Sequence, residues 1–409
     1  MSSNIQAQAG LPVFDHDFVQ HLHTRNAQLR STTPVQRMVT HQGMEVWVIT
    51  RYDDARAALA DHRLGKNAIR TQEVVNAKLP PDADHGEFAT ELAVHMLNMD
   101  IPDHTRLRKL VVKAFTARRV ESMRPHIEQI SAALLDAIPD KSDVNLLDAF
   151  AFPLPTQVIS EMLGVDESRR DDFRAWTNTI LDASDEQALQ HAVQSASAYM
   201  VELIATKRRE PADDLITALI EARDDEDRLS EQELIATVFL LLVAGHETTV
   251  NLIGNGVLAL LRNPEQWAAL VADPGLVPDA VEEMLRFDGP VIHGTLRHTI
   301  EPVEYGGVEI PAGEIVWVGL SAGSNDPERF AEPDRFDITR DARGHLAFGH
   351  GIHFCLGAQL ARLEAQIALR QLVERFPNLR AVGSLDDVQW RFSSLIHGLQ
   401  ELRVCLAEG

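Results

Sequence analysis

The segment Phe348-Gly-His-Gly-Ile-His-Phe-Cys355-Leu-Gly-Ala358 decides how the rest of the chain is read. Gly349 and Gly351 precede the cysteine and Gly357 follows it. Glycine permits tight turns and close approach of backbone to a ligand. A helical pattern starts near Leu356 and stops before Pro377, so Cys355 sits at the mouth of a long helix. Unpaired N–H groups and the positive dipole end at such a mouth both favour a thiolate. A free cysteine in a glycine-rich turn is the simpler alternative. Zinc is another, because His350, His353 and Cys355 are close in sequence, but no CxxC or HExxH pairs with them to complete a ligand set. Cys405 has no glycine setting and reads as a strand or core residue.

Working outward, the chain has 409 residues, of which 45% are apolar and 24% charged, enough for a sizeable globular core. A net charge of -23 argues against a nucleic-acid surface, which needs a basic stripe. Two cysteines cannot build a disulfide framework, so a reducing compartment is expected. MSSNIQAQAG lacks the basic and apolar regions of a signal peptide. The longest apolar run, Val238 to Ala244, is too short for a membrane anchor, so the expected location is the cytoplasm.

EVWVIT, from Glu45, reads as a strand, and YDDARAALA after it as a helix. Residues 63–97 have weak periodicity and a Pro-Pro turn at Pro80, and read as a mobile loop. Residues 105–138 read as helix with a break near Arg124-Pro125, and more helices follow across 156–222. Asp224 to Arg228 reads as a solvated loop. Ser230 and Glu233 make a capping box for a helix of about 30 residues that Asn263-Pro264 stops. A short helix is expected over 278–287, strands between Arg297 and Leu320 with a turn at Gly306-Gly307, an irregular stretch over 321–350, and a terminal strand in ELRVCLA. The expectation is one domain over 1–409, a helix-rich lobe with a smaller β-containing lobe.

Inside the long helix, Ala244-Gly245-His246-Glu247-Thr248-Thr249 breaks local rules. Gly costs about 1 kcal/mol relative to Ala in a helix, and Glu is costly to bury. Rules broken together often mark a functional site. A carboxylate beside a hydroxyl can anchor water and pass protons. The plainer alternative has Thr248 bonding back to its own helix and Glu247 paired with a surface cation.

The cysteine segment resembles the haem-binding loop of the cytochromes P-450, F-G-x-G-x-H/R-x-C-x-G, at every fixed position: Phe348, Gly349, Gly351, His353, Cys355 and Gly357. Ala244 to Thr249 resembles the family's central-helix motif A/G-G-x-D/E-T-T/S. Glu283-Met-Leu-Arg286 matches E-x-x-R, and Pro333-Asp-Arg335-Phe336 matches P-x-R-F. Ile101 is a departure, since proline is commoner there. The motifs run in family order, and the likeness is to soluble bacterial members that tailor macrolides and other natural products.

The resemblance implies a mainly α fold with a small β region, with haem b (iron protoporphyrin IX) between the central (I) helix and the cysteine loop with its following (L) helix. It implies Cys355 as iron ligand, a thiolate that favours O–O cleavage. Phe348 would pack near it, His353, His104, Arg108 and Arg297 would contact propionates, and Ala244, Gly245 and Gly357 would approach the cofactor. Glu247 and Thr248 would serve the proton relay of oxygen activation, and Glu283, Arg286 and Arg335 would form a structural triad. The implied reaction inserts one atom of O2 into an apolar polyketide, terpenoid, steroid-like or similar metabolite, chiefly by C–H hydroxylation. Electrons would come from NAD(P)H through a ferredoxin reductase and ferredoxin, docking on Lys109, Lys113, Arg118 and Arg362. Candidate substrate contacts are the 63–97 loop, Leu241, Ala244, Val291, Ile292, His293, Leu296, Leu395 and Ile396; His246 and His293 would be the polar exceptions, with a core-satisfied histidine as the alternative. The rivals are a haem-thiolate enzyme with another outcome, such as epoxidation, C–C coupling or peroxide use, and a haem sensor or carrier, which does not need Glu247 and Thr248.

Overall fold

Ser230 opens the longest helix, Glu231–Arg262, through a reciprocal cap: its hydroxyl accepts from Glu233 N at 3.3 Å, and Glu233 Oε2 accepts from Ser230 N at 2.8 Å. At 1.5 Å per residue the 32 residues span about 48 Å. The computed structural model describes residues 10–79, 90–166, 186–224 and 227–406, with 169, 172, 175, 176, 179 and 180 between them. Thr249 to Leu260 are buried without a break, the mark of a helix enclosed on all sides rather than lying on a surface. It packs against Pro153–Leu163, Glu186–Arg209, Val277–Asp288 and Ala358–Arg375. Among the described residues it is the one helix long and apolar enough to cross a membrane, but here it is the core.

The largest sheet among the described residues has six strands in the order Val13–Phe14, Val35–Thr40, Glu45–Ile49, Ile315–Val318, Arg297–Thr299, Leu64–Gly65, and smaller sheets accompany it, one of them holding the expected terminal strand Arg403–Cys405. Val35 pairs antiparallel with Ile49, Trp47 parallel with Val316, and Ile315 antiparallel with His298. Ile315–Val318 is buried at every residue, as expected of an all-apolar central strand covered on both faces. The sheet has its own cluster around Ile49, Leu59, Val316 and Phe330, beside the main helical core.

The structure corrects two expectations of local conformation and extends a third. The stretch read as a loop over 63–97 contains a helix, Ala68–Lys78, capped by Asn67 accepting from Arg70 N at 3.2 Å. Its periodicity is weak because Thr71 is its one fully buried side chain. The Pro80-Pro81 turn lies outside the described residues. The break expected near Arg124-Pro125 is present: one helix ends at Ser122 and the next, Arg124–Asp136, carries Pro125 in its first turn, where its missing N–H costs nothing; a second, unanticipated break falls at Phe115-Thr116, where Thr116 caps Ala117–Ser122. Within the charged tract, Arg223–Asp224 pairs with Asp227–Arg228 as a small hairpin.

The E-x-x-R residues lie at 0% exposure on Val277–Asp288. Arg286 donates to Glu283 through Nε at 2.7 Å and Nη2 at 2.9 Å, and to Asn325 Oδ1 at 2.9 Å. Glu283 also accepts from Asp337 N at 3.0 Å. The third cation is not Arg335. That side chain is 60% exposed and pairs at 3.5 Å with Glu332 and Asp337. Arg340 replaces it, 13% exposed and with Nε 3.4 Å from Glu283. The turn at 335–340 directs the later arginine inward, which the spacing in sequence does not reveal. Removing one partner of a buried pair costs about 3–5 kcal/mol, whereas an exposed change stays within about 0.5 kcal/mol. Chemical denaturation is therefore expected to rank the losses Arg286→Met first, Arg340→Ala second and Arg335→Ala near zero. An Arg335→Ala loss equal to that of Arg340→Ala would reverse the assignment.

Candidate functional site

The cysteine loop is shaped by its glycines. Gly349 and Gly351 adopt φ +70° and +73°, and a Cβ at Gly351 would come within 2.9 Å of the Leu59 carbonyl. Cys355 N donates to Phe348 O at 2.9 Å, closing the loop just before the helix Ala358–Arg375. The thiol is open to solvent on one side and crowded by protein on the others. That crowding raises its pKa, against the pull of the Gly357 N–H, Arg108, Arg362 and the Ala358 N–H. A Cβ on Gly357 would have Cys355 Sγ as its nearest neighbour, at 4.0 Å, so the space beside the sulfur is open. Phe348 lies under the Arg362 guanidinium at 4.5 Å. His350, His353 and Cys355 do not converge, and among the described residues no group of three His, Cys, Asp or Glu could hold a metal ion.

Cations gather beside the loop. His104, on Asp103–Ala114, is buried with both ring nitrogens unpartnered, and its ring meets His353 edge-on at 4.3 Å. One turn on, Arg108 donates to the Phe354 carbonyl at 2.7 Å. Arg297 is 4% exposed and reaches only the carbonyls of Leu59 and Leu64, at 3.3 and 3.4 Å. Burial lowers its pKa to about 10, against the pull of Asp100. His353 is held down to about 2 by burial and by Lys66, His104, Arg297 and Arg108. Lys66, unanticipated from sequence, is buried in the same cluster. Cations and unpartnered donors in one dry place suit carboxylates. With an open thiol nearby, these residues fit a haem, which needs an iron ligand and partners for two propionates.

The central helix is opened in its middle. Ala244 is exposed, and Val243, Gly245 and Thr248 are partly so, although the residues on either side are enclosed. Thr248 Oγ1 donates to Ala244 O at 3.1 Å, so its oxygen keeps lone pairs for the open side. Glu247 is 3% exposed and turned away, with Oε1 accepting from Arg391 Nη2 and from Asn251 Nδ2 at 3.2 Å. Arg391 Nη2 also donates to Asn251 Oδ1 at 3.1 Å. Both contacts of the plainer sequence alternative are present, Thr248 bonded back to its helix and Glu247 paired with a cation that reaches the surface; the sequence did not reveal that the cation is Arg391, nor that Asn251 joins it. A Cβ at Gly245 would strike Ile159 at 2.7 Å, so the glycine allows close packing against Pro153–Leu163.

The substrate candidates divide. Val291, Leu296 and Leu395 are partly open, as is Thr295. Leu241, Ile292 and Ile396 are buried, and Ile292 is held by backbone bonds to Leu395, Leu320 and Ser321. His293 faces the core: it stacks on Trp317 at 4.7 Å and donates to Ser394 O at 2.9 Å, and burial lowers it to about 4. His246 donates to Leu242 O at 2.8 Å, and burial lowers it too. Both histidines are core residues here. In the expected basic patch Arg362 is already committed, donating to Glu282 at 2.5 and 3.0 Å.

A sequence model of the family Cytochrome P450 matches residues 154–273 and 275–381. Cytochrome P450 107B1 of Saccharopolyspora erythraea is 59% identical over 394 residues, 96% of this chain and 97% of its own length. The 6-deoxyerythronolide B hydroxylase of the same organism is 46% identical, covering 93% of this chain and 95% of that protein. The tirandamycin C-bound P450 monooxygenase TamI superposes with a TM-score of 0.91 at 46% identity, covering 97% of this chain and all of that one. A family match over more than half of the chain, and relatives alike nearly end to end, mean that this protein belongs to the cytochrome P450 family and is a haem-thiolate monooxygenase.

Proposed function

We propose that the protein hydroxylates a C–H bond of an apolar secondary metabolite of polyketide, terpenoid or steroid-like class, with haem b held by Cys355. The observation that carries this reading is the open strip at Ala244 and Thr248 in the middle of a helix whose following residues, Thr249 to Leu260, are all buried, together with an uncovered thiol. The haem supplies reductive activation of O2 and transfer of one oxygen atom to the substrate. His104, Arg108, Arg297 and His353 hold its carboxylates. Val291, Leu296 and Leu395 offer an apolar wall, which suits a substrate recognised by shape. The hydroxylases among its relatives support the reaction type.

Thr248 serves at Oγ1, where it can accept from one proton carrier while its hydrogen leaves the Ala244 carbonyl for the reacting oxygen. Glu247, one residue away and kept in place by Arg391 and Asn251, is the carboxylate that anchors the carriers of the proton relay. Arg391 is 38% exposed and joins that carboxylate to the surface.

Electrons reach the haem from NAD(P)H by way of a reductase and ferredoxin. A hollow of about 580 Å³ lined by Arg108, Lys109, Val112, Lys113 and Ile352 lies beside the cysteine loop. Val112, Ile352 and Phe354 expose apolar surface there, and Lys109, Lys113 and Arg118 are exposed cations, a combination that fits an acidic partner. Both cysteines, Cys355 and Cys405, are free, which suits a reducing compartment, and we place the enzyme in the cytoplasm.

Cys355→Ala is expected to abolish the red-shifted Soret band of the reduced carbon monoxide complex, and a retained band would remove Cys355 from the iron. Thr248→Ala is expected to cut product per NAD(P)H by about tenfold or more, with the electrons recovered as hydrogen peroxide. Turnover on peroxide alone, indifferent to this substitution, would overturn the O2 reading. Reversing Lys109 and Lys113 to Glu is expected to slow ferredoxin-driven reduction by about tenfold at low salt and less at high salt. An unchanged rate would remove the docking patch.

A further inference from the structure

Lys66 lies just after the strand Leu64–Gly65 and is 3% exposed, with its ammonium 2.6 Å from Thr295 Oγ1. A lysine this far from water requires a counter-charge. Asp100, the carboxylate beside it, is turned to the backbone: it accepts from Lys66 N at 2.9 and 3.1 Å and from Asn67 N at 3.0 Å. Among the described residues no carboxylate forms an ion pair with the ammonium. Its other neighbours repel it or gain nothing from it. Arg297 acts on Lys66, and Lys66 in turn acts on His95, His104 and His353. Burial, and then Arg297, push the lysine well below its ordinary pKa.

Lys66 and Arg297 are both buried, and Asp100, the carboxylate that acts on each of them, is spent on backbone N–H groups. A haem carries two carboxylates. We propose that Lys66 binds a carboxylate of the haem, alongside Arg297, His104, Arg108 and His353. The inference rests on the haem-thiolate reading and adds a member to its cofactor site. It also explains why a lysine occupies a dry position: the anion that compensates it arrives with the cofactor, and the haem-free chain carries the cost alone.

Haem retention and haem-free stability should therefore move in opposite senses. In Lys66→Met, transfer of haem to an excess of a haem-scavenging globin is expected to be about tenfold faster than in the unaltered holoenzyme. Thermal unfolding of the haem-free protein is expected to stay level or rise, because methionine fills the site without an uncompensated charge. Lys66→Arg, which keeps the charge, is expected to recover most of the retention. Unchanged transfer in Lys66→Met would overturn the proposal. So would faster transfer in both variants with a lowered haem-free Tm, since Lys66 would then be a packing residue. Dodecanoate is the probe for the remaining source of a carboxylate: its spin-state titration weakened in Lys66→Met, with haem transfer unchanged, would assign Lys66 to a substrate anion and also overturn the proposal. Failure of the unaltered protein to show the thiolate Soret band would sink the haem reading itself, separately from Lys66.

Discussion

Glu283 and Arg286 carry opposite charges into an interior where neither meets water. Two short bonds between them satisfy most of what each lost on burial, and the remaining lone pairs and protons bind Asn325 and the backbone of Asp337. One ion pair thereby ties the helix Val277–Asp288 to the irregular stretch that runs on to the cysteine loop. That stretch has little regular backbone pairing of its own, so its path depends on side chains such as these. Leu346 N, bonded to Ser324 Oγ at 2.9 Å, continues the same anchoring toward Phe348. Low dielectric makes such a network rigid when complete and costly when any member is missing. The placement of the Cys355 sulfur, which touches none of these charges, follows from it.

The site divides its charge by depth. The chain as a whole is strongly acidic, yet the dry pocket beside the cysteine loop gathers Lys66, Arg108, Arg297 and two histidines. Net charge describes solubility and long-range fields, and says little about a pocket in which Lys66 and Arg297 are buried. On the central helix the arrangement is reversed: a buried acid, Glu247, is met by one arginine that reaches the surface. An anionic cofactor edge and a proton source are opposite electrostatic tasks, and separate elements carry them.

Much of this was legible beforehand. The capping box at Ser230, the stop at Asn263-Pro264, the strands around Val46 and Val316 and the helix after Cys355 all stand where local chemistry places them. Helix caps and strand alternation act over a few residues, and a sequence displays those directly. The motif positions Cys355, Thr248, Glu283 and Arg286 were equally visible. The errors over site residues share one cause, which is side-chain direction. Arg335 and Arg340 are five residues apart, and only the turn between them sends one to water and the other to Glu283. His293 and Ile292 lie in a segment that does border the open region, but their side chains point into the core while Val291 and Leu296 stay open.

By itself the sequence determined the family, the thiol, the acid–alcohol pair and the succession of helices and strands, because these rest on residue identity and short-range periodicity. Tertiary structure decided which cations share a pocket. Lys66, His104, Arg297 and His353 come from four distant parts of the chain, and no spacing rule links them. It decided that Glu247 answers to Arg391, 144 residues away, and that Ile159 packs against Gly245. Electrostatic and steric partners are chosen by distance in space, and distance in space exists only once the core has packed.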